Sequence, residues 1–171
     1  HLEMTRDVAS RFNNKMGETF VVPQDKIQEE TQLIPGTDGH KMSKSRNNFI
    51  NIFLNDKALR KQIMSIETDS KELEEPKDPD SCNAFALYSL LAAKDQIETM
   101  RSNYINGGYG YGHAKQALFE LIVEKYSKER QRYNHLMEHP QEIEDALKIG
   151  AIKAKSIANS VLKRVRNKVG Y

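Results

Sequence analysis

The chain holds 171 residues, of which 38% are hydrophobic and 29% charged, and its 26 basic and 24 acidic side chains leave a formal charge of +2. That length can own a core, and that balance excludes a disordered chain, a collagen-like repeat and a membrane span, since the uncharged stretch Ser81 to Ala93 falls far short of the ~20 apolar residues a bilayer requires. A single cysteine, Cys82, excludes an intramolecular disulfide framework and a cysteine-rich zinc site, and fits a reducing, cytoplasmic setting.

From His1 onward there is no basic segment followed by an apolar one, so no secretory signal is read. Leu2, Thr5, Val8, Ala9, Phe12 and Met16 instead recur at three- and four-residue spacing and predict a helix. A chain that opens inside a helix is expected to be part of a longer protein. Phe20-Val21-Val22-Pro23 predicts a short apolar strand ended by proline, and Pro35-Gly36-Thr37-Asp38-Gly39 predicts a turn. Lys41 to Asn48 carries three cations and nothing large to bury except Met42, which predicts an exposed loop. Phe49, Ile50, Ile52 and Phe53 restore an apolar anchor, and Leu59, Ile63 and Ile66 mark a helix capped at Asp56.

Thr68 to Asp80, with Pro76 and Pro79, reads as an acidic linker: Ile66 to Asp80 holds seven acids against two lysines. The rest reads as helical. Phe85, Tyr88, Leu91 and Ala92 form one stripe, continued by Ile97, Met100, Tyr104 and Ile105. Asn106 to Gly112 breaks the pattern, its glycines supplying a helix–helix turn rather than a base-stacking or phosphate site. One long helix is expected from Ala114 to the region of Pro140, and a last one carries Ile143, Leu147, Ile152, Ile157, Val161, Leu162 and Val165. Packed helices joined by short turns make a bundle. The final stretch, Leu147 to Tyr171, holds seven bases and no acid, a balance suited to phosphate.

Lys41-Met42-Ser43-Lys44-Ser45 places two ammonium groups three residues apart with hydroxyls between and beyond them, which can wrap a triphosphate from one side. These letters are similar to the second signature of class I aminoacyl-tRNA synthetases. Pro35 to His40 before them, Arg46-Asn47-Asn48 after them, the opening helix, Thr68-Asp69-Ser70, the Gly107 to Gly110 turn and Ala154-Lys155-Ser156-Ile157-Ala158 resemble the bacterial tryptophanyl-tRNA synthetases over the whole chain.

The resemblance implies the C-terminal half of such an enzyme. It implies a mainly α fold: residues 1–67 as the end of a Rossmann-like α/β catalytic domain, with a short strand, helices and the loop; 68–80 as an acidic linker; 81–171 as a helical anticodon-binding domain. It implies that Lys41 and Lys44 are catalytic, and that Lys41, Met42, Ser43, Lys44, Ser45 and Leu33 bind ATP. Lys155, Lys163 and Arg164 are the phosphate candidates toward tRNA. ATP with Mg²⁺ is expected as substrate, tryptophan and tRNA(Trp) as partners, a cytoplasmic homodimer as the intact assembly, and no membrane or protein-bound metal. The stem glycines Gly36 and Gly39 are expected to let the loop swing.

The HIGH signature of the family and a Gly-rich strand-to-helix turn do not occur in this sequence, so the chain alone is expected to be inactive. His135-Leu136-Met137-Glu138-His139 spells the H-x-x-E-H of some zinc peptidases, but Pro140 follows at once, Leu136 and Met137 read as bundle-face residues, and no zinc site is expected. Two rivals remain: the tyrosine-specific relative, disfavoured by Arg46-Asn47-Asn48 and the ending at a basic helix, and a non-catalytic RNA-binding module.

Overall fold

The computed structural model describes residues 1–26 and 34–171, and among them are seven helices: α1 Leu2–Met16, α2 Asp56–Met64, α3 Asn83–Ser89, α4 Lys94–Asn106, α5 Tyr111–Lys125, α6 Ser127–Glu138 and α7 Pro140–Val169. The chain divides into two compact units, Glu29–His135 and the pair of segments His1–Gln28 and Leu136–Tyr171. No helix among the described residues is long and apolar enough to cross a membrane.

In the continuous unit, α5 packs against α2 and α3, and α3 against α4. The helical spacing read from the sequence supplies the core: Leu59 and Ile63 from α2, Phe85 and Tyr88 from α3, Met100 and Tyr104 from α4, Leu118 and Ile122 from α5. Asn55, not Asp56, caps α2, its side-chain oxygen accepting the Ala58 N–H at 2.9 Å. The turn between α4 and α5 uses positive φ at Gly107 (76°) and Gly108 (73°). Gly112 lies within α5. Tyr109 and Tyr111 lie on the core, each ring centroid 5.9 Å from that of Tyr104. The long helix expected from Ala114 starts three residues earlier and is broken at Tyr126 (φ −104°, ψ 20°) into α5 and α6. Pro140 both prevents continuation of α6 and opens α7, where its missing N–H costs nothing.

The acidic segment 68–80 is docked rather than a free tether. Lys77 is 3% exposed, and its Nζ donates to the carbonyls of Glu72 (2.6 Å), Leu73 (3.2 Å) and Glu75 (2.9 Å). Its own N–H donates to the Tyr104 carbonyl at 2.7 Å, while Gly108 N–H reaches Leu73 at 3.0 Å. Arg101 grips Asp80 with two bonds of 3.1 and 2.6 Å. The lysine gathers the carbonyls of a turning backbone, which offsets its loss of water.

In the other unit, the strand expected at Phe20–Pro23 is not formed. β-branched residues favour a strand only when a neighbouring backbone pairs with them. Here the backbone groups bond to side chains of α1 instead: Asn13 Oδ1 accepts from Thr19 and Phe20 N–H (3.0 and 2.9 Å), Asn13 Nδ2 donates to the Phe20 carbonyl (2.8 Å), and Arg6 Nε donates to that of Pro23 (2.9 Å). Val21 is 91% exposed. The Phe12 and Phe20 rings meet edge-on with centroids 5.0 Å apart. Past the end of α1, Lys168 Nζ donates to the carbonyls of Met16 (2.8 Å) and Glu18 (3.1 Å), a cation placed at a helix C-terminus. The bundle expected of all the later helices is realised by α3, α4 and α5. Along α7 only Val161 and Val165 of the apolar stripe are half-buried, and Ile143, Leu147, Ile152, Ile157 and Leu162 are exposed.

Candidate functional site

The segment after Ile34 folds back on itself through one isolated antiparallel bridge between Pro35 and Lys41. Met42 N–H donates to the Ile34 carbonyl at 2.9 Å, and Gly36 N–H to that of His40 at 2.7 Å. The reversal between them is an Asx turn, with Asp38 Oδ1 accepting the His40 N–H at 3.0 Å and Gly39 at φ 74°. A second turn follows, closed by Asn47 N–H to the Lys44 carbonyl at 3.1 Å with Asn47 at φ 54°. Two ties fix this hairpin to the helices. Glu67 N–H donates to the Thr37 carbonyl at 2.7 Å. Gln62 of α2 clamps the outgoing strand of chain, donating to the Phe49 carbonyl (2.7 Å) and accepting from Asn51 N–H (2.9 Å).

The stem glycines serve close approach. A Cβ on the buried Gly36 would fall inside the Asn48 side chain, and one on Gly39 would sit 2.7 Å from Asn83 Nδ2.

The frame displays its cations outward. Lys41, Lys44 and Arg46 are exposed, and among the described residues neither lysine is paired with a carboxylate. Unspent ammonium groups a few residues apart are what a chain of phosphate oxygens requires. Ser43 Oγ and Ser45 Oγ stand 3.2 Å apart, and Ser43 Oγ accepts the Arg46 N–H at 3.3 Å. Met42 is half-buried against the core, beside an apolar hollow of about 600 Å³ that Ile34, Ile50 and Leu118 also line. Its N–H is bonded to the Ile34 carbonyl.

Lys41 to Ser45 are thus brought together. Leu33 lies outside the described residues. Lys155 and Lys163 are exposed on α7, in the other unit, while Arg164 Nη2 donates to the Thr19 carbonyl at 3.3 Å.

Sequence reasoning missed Asn48. It is 2% exposed in the midst of a polar run, where periodicity gives no sign of burial. Its Nδ2 donates to Asp38 Oδ1 at 2.6 Å and lies 3.2 Å from the Lys41 carbonyl and 3.4 Å from that of His40, while its Oδ1 accepts the Ser43 N–H at 2.8 Å. The Asn48 amide is the chief reason that the Asp38 carboxyl titrates below the ordinary carboxylate range, with the His40 N–H adding to it against slight burial.

A family profile described as tRNA synthetases class I (W and Y) matches residues 1–127. A protein of Campylobacter jejuni named tryptophan–tRNA ligase is 42% identical over 170 residues, which cover 99% of this chain and 53% of that protein. One of the same name from Fusobacterium nucleatum is also 42% identical, over 99% of this chain and 52% of its own length. The chain therefore spans about half the length of the curated relatives it matches. The crystal structure of the Campylobacter jejuni tryptophanyl-tRNA synthetase complexed with ADP and tryptophan superposes with a TM-score of 0.87 at 42% identity, covering all of this chain and 54% of that one.

Proposed function

Because this chain belongs to the class I tRNA synthetases of the tryptophan and tyrosine group, we propose that it is the C-terminal half of a tryptophan–tRNA ligase. The observation that carries the reading is the 42% identity to proteins named tryptophan–tRNA ligase, extending over 99% of the chain, loop and basic tail included. In the complete protein, a carboxylate oxygen of tryptophan attacks the α-phosphorus of ATP. The bond to the bridging oxygen breaks and pyrophosphate leaves, with Mg²⁺ as the counter-ion of the triphosphate. A hydroxyl of the 3′-terminal ribose of tRNA(Trp) then attacks the tryptophanyl carbonyl, and AMP departs.

In this reading Lys41 and Lys44 are the catalytic residues of this half. They balance the charge that builds on the triphosphate as pyrophosphate separates, an electrostatic role that is worth most when the donors are held in place beforehand. The hydroxyls of Ser43 and Ser45 add donors to the same arc. The Met42 carbonyl and the apolar hollow beside it offer an edge and a wall for adenine. Residues 1–67 supply the end of the Rossmann-like catalytic domain. Residues 68–80 join it to the helices of 81–171, which take the anticodon region, with Lys155 and Lys163 neutralising phosphates. The intact enzyme is a cytoplasmic homodimer.

The test is ATP–pyrophosphate exchange by the full-length protein. Dependence on tryptophan and not on tyrosine is expected, and exchange driven by tyrosine alone would transfer the assignment to the sister enzyme. The 171-residue chain by itself is expected to bind ATP too weakly for calorimetry to detect.

A further inference from the structure

We propose that Asn48, buttressed by Asp38, is the positioning residue that sets the separation of Lys41 and Lys44 on the loop. The inference rests on the reading of the loop as a triphosphate clamp, and goes beyond it by naming what holds the clamp in shape.

The bonds of one side chain reach both sides of Met42. Asn48 Nδ2 takes the carbonyl of Lys41 at 3.2 Å, and Asn48 Oδ1 takes the N–H of Ser43 at 2.8 Å. Those two groups flank the residue between the first lysine and the rest of the loop, so the amide fixes the backbone from which both lysines project. A primary amide suits the place because it donates and accepts at once; a carboxylate only accepts, and a hydroxyl is too short to reach both partners. Asp38 holds the amide's orientation through its 2.6 Å bond and anchors the turn through His40 N–H at 3.0 Å. Thr37 N–H donates to the Asn48 carbonyl at 2.8 Å, so the same residue is gripped by its main chain as well. Gly36 lets this packing close, since any side chain there would displace the amide. At its centre Asn48 is 2% exposed, with both its amide atoms hydrogen-bonded, which stiffens the network around it.

A residue that only glues the hairpin and one that sets the lysines apart make different demands, and a swap separates them. In the full-length protein, Asn48→Ala is expected to lower kcat for tryptophan-dependent exchange by about 30-fold while KM for tryptophan moves less than about twofold, as for an interaction that acts in the transition state. The double variant Asp38→Asn with Asn48→Asp keeps the net charge and restores a bond between positions 38 and 48. It keeps an acceptor for Ser43 N–H but loses the donor to the Lys41 carbonyl. Recovery of the thermal midpoint without recovery of kcat supports the proposal. Recovery of both overturns it, because the bond to Asp38 would then suffice. Absence of tryptophan-dependent exchange in the unaltered protein overturns the functional reading instead. Hydrogen exchange at the Ser43 amide then decides the bracing alone: protection lost in Asn48→Ala supports it, and protection kept overturns it.

Discussion

The loop and α7 are the two cationic regions of this chain, and they carry their charge by opposite means. In the loop, three cations between Lys41 and Arg46 stand on a backbone whose turns, bridge and buried asparagine are bonded at nearly every residue. In α7, seven bases from Lys148 to Lys168 are strung along a regular helix that needs only its own ladder. A braced loop holds point charges at set positions, as a reacting triphosphate demands. A helix that lays exposed charges along its length suits a polyanion that has no single reacting atom. The second region also divides within itself, since Arg164 and Lys168 bond to carbonyls at and just beyond the end of α1 while Lys155 and Lys163 do not.

The contrast breaks first at the loop. Lys44→Ala in the full-length enzyme is expected to slow ATP–pyrophosphate exchange by about 100-fold, as for loss of one preorganised charge donor, with tryptophan affinity by calorimetry nearly unchanged. Equal loss of both would make the lysine structural. Gly36→Ala tests the frame rather than the charge: its methyl overlaps Asn48, so unfolding stability is expected to fall by about 2 kcal/mol, as for overpacking, and the exchange rate to fall with it. An alanine that leaves both unaltered would show that the loop yields more readily than its packing indicates.

The helix should respond by increments. Lys155→Ala and Lys163→Ala are each expected to reduce the slope of log affinity for tRNA against log salt by about 0.8, weakening binding a few-fold. An unchanged slope would remove α7 from the phosphate surface. Arg164→Ala has the smallest expected effect on the slope, because its guanidinium already serves the Thr19 carbonyl. Its main outcome should be a loss of about 1 kcal/mol in thermal unfolding, as for one hydrogen bond.

What the sequence revealed depended on whether the signal was periodic, literal or neither. The core stripes of α2 to α5 were legible because apolar residues at helical spacing have one cheap solution, burial of a face, and α1 was legible by the same spacing although of its residues only Ala9 is buried. The loop was legible as letters. Asn48 was not, because a buried amide in a polar run looks like any surface asparagine until its partners are in place. Lys77 was hidden likewise: acids and prolines made 68–80 resemble a tether, and nothing local shows that a lysine will collect three carbonyls. The strand at Phe20–Pro23 was misread since strand formation depends on a neighbour, and the neighbour found was the side chain of Asn13. The break at Tyr126 left no glycine or proline to announce it.

The bonds from Arg164 and Lys168 back to Met16, Glu18 and Thr19 span 145 to 152 residues of chain. They give the order of events during synthesis. The unit Glu29–His135 is a continuous stretch and can close as soon as it clears the ribosome. Helix α1 must wait for α7: at about 5–20 residues per second, it spends on the order of ten seconds before Arg164 and Lys168 exist.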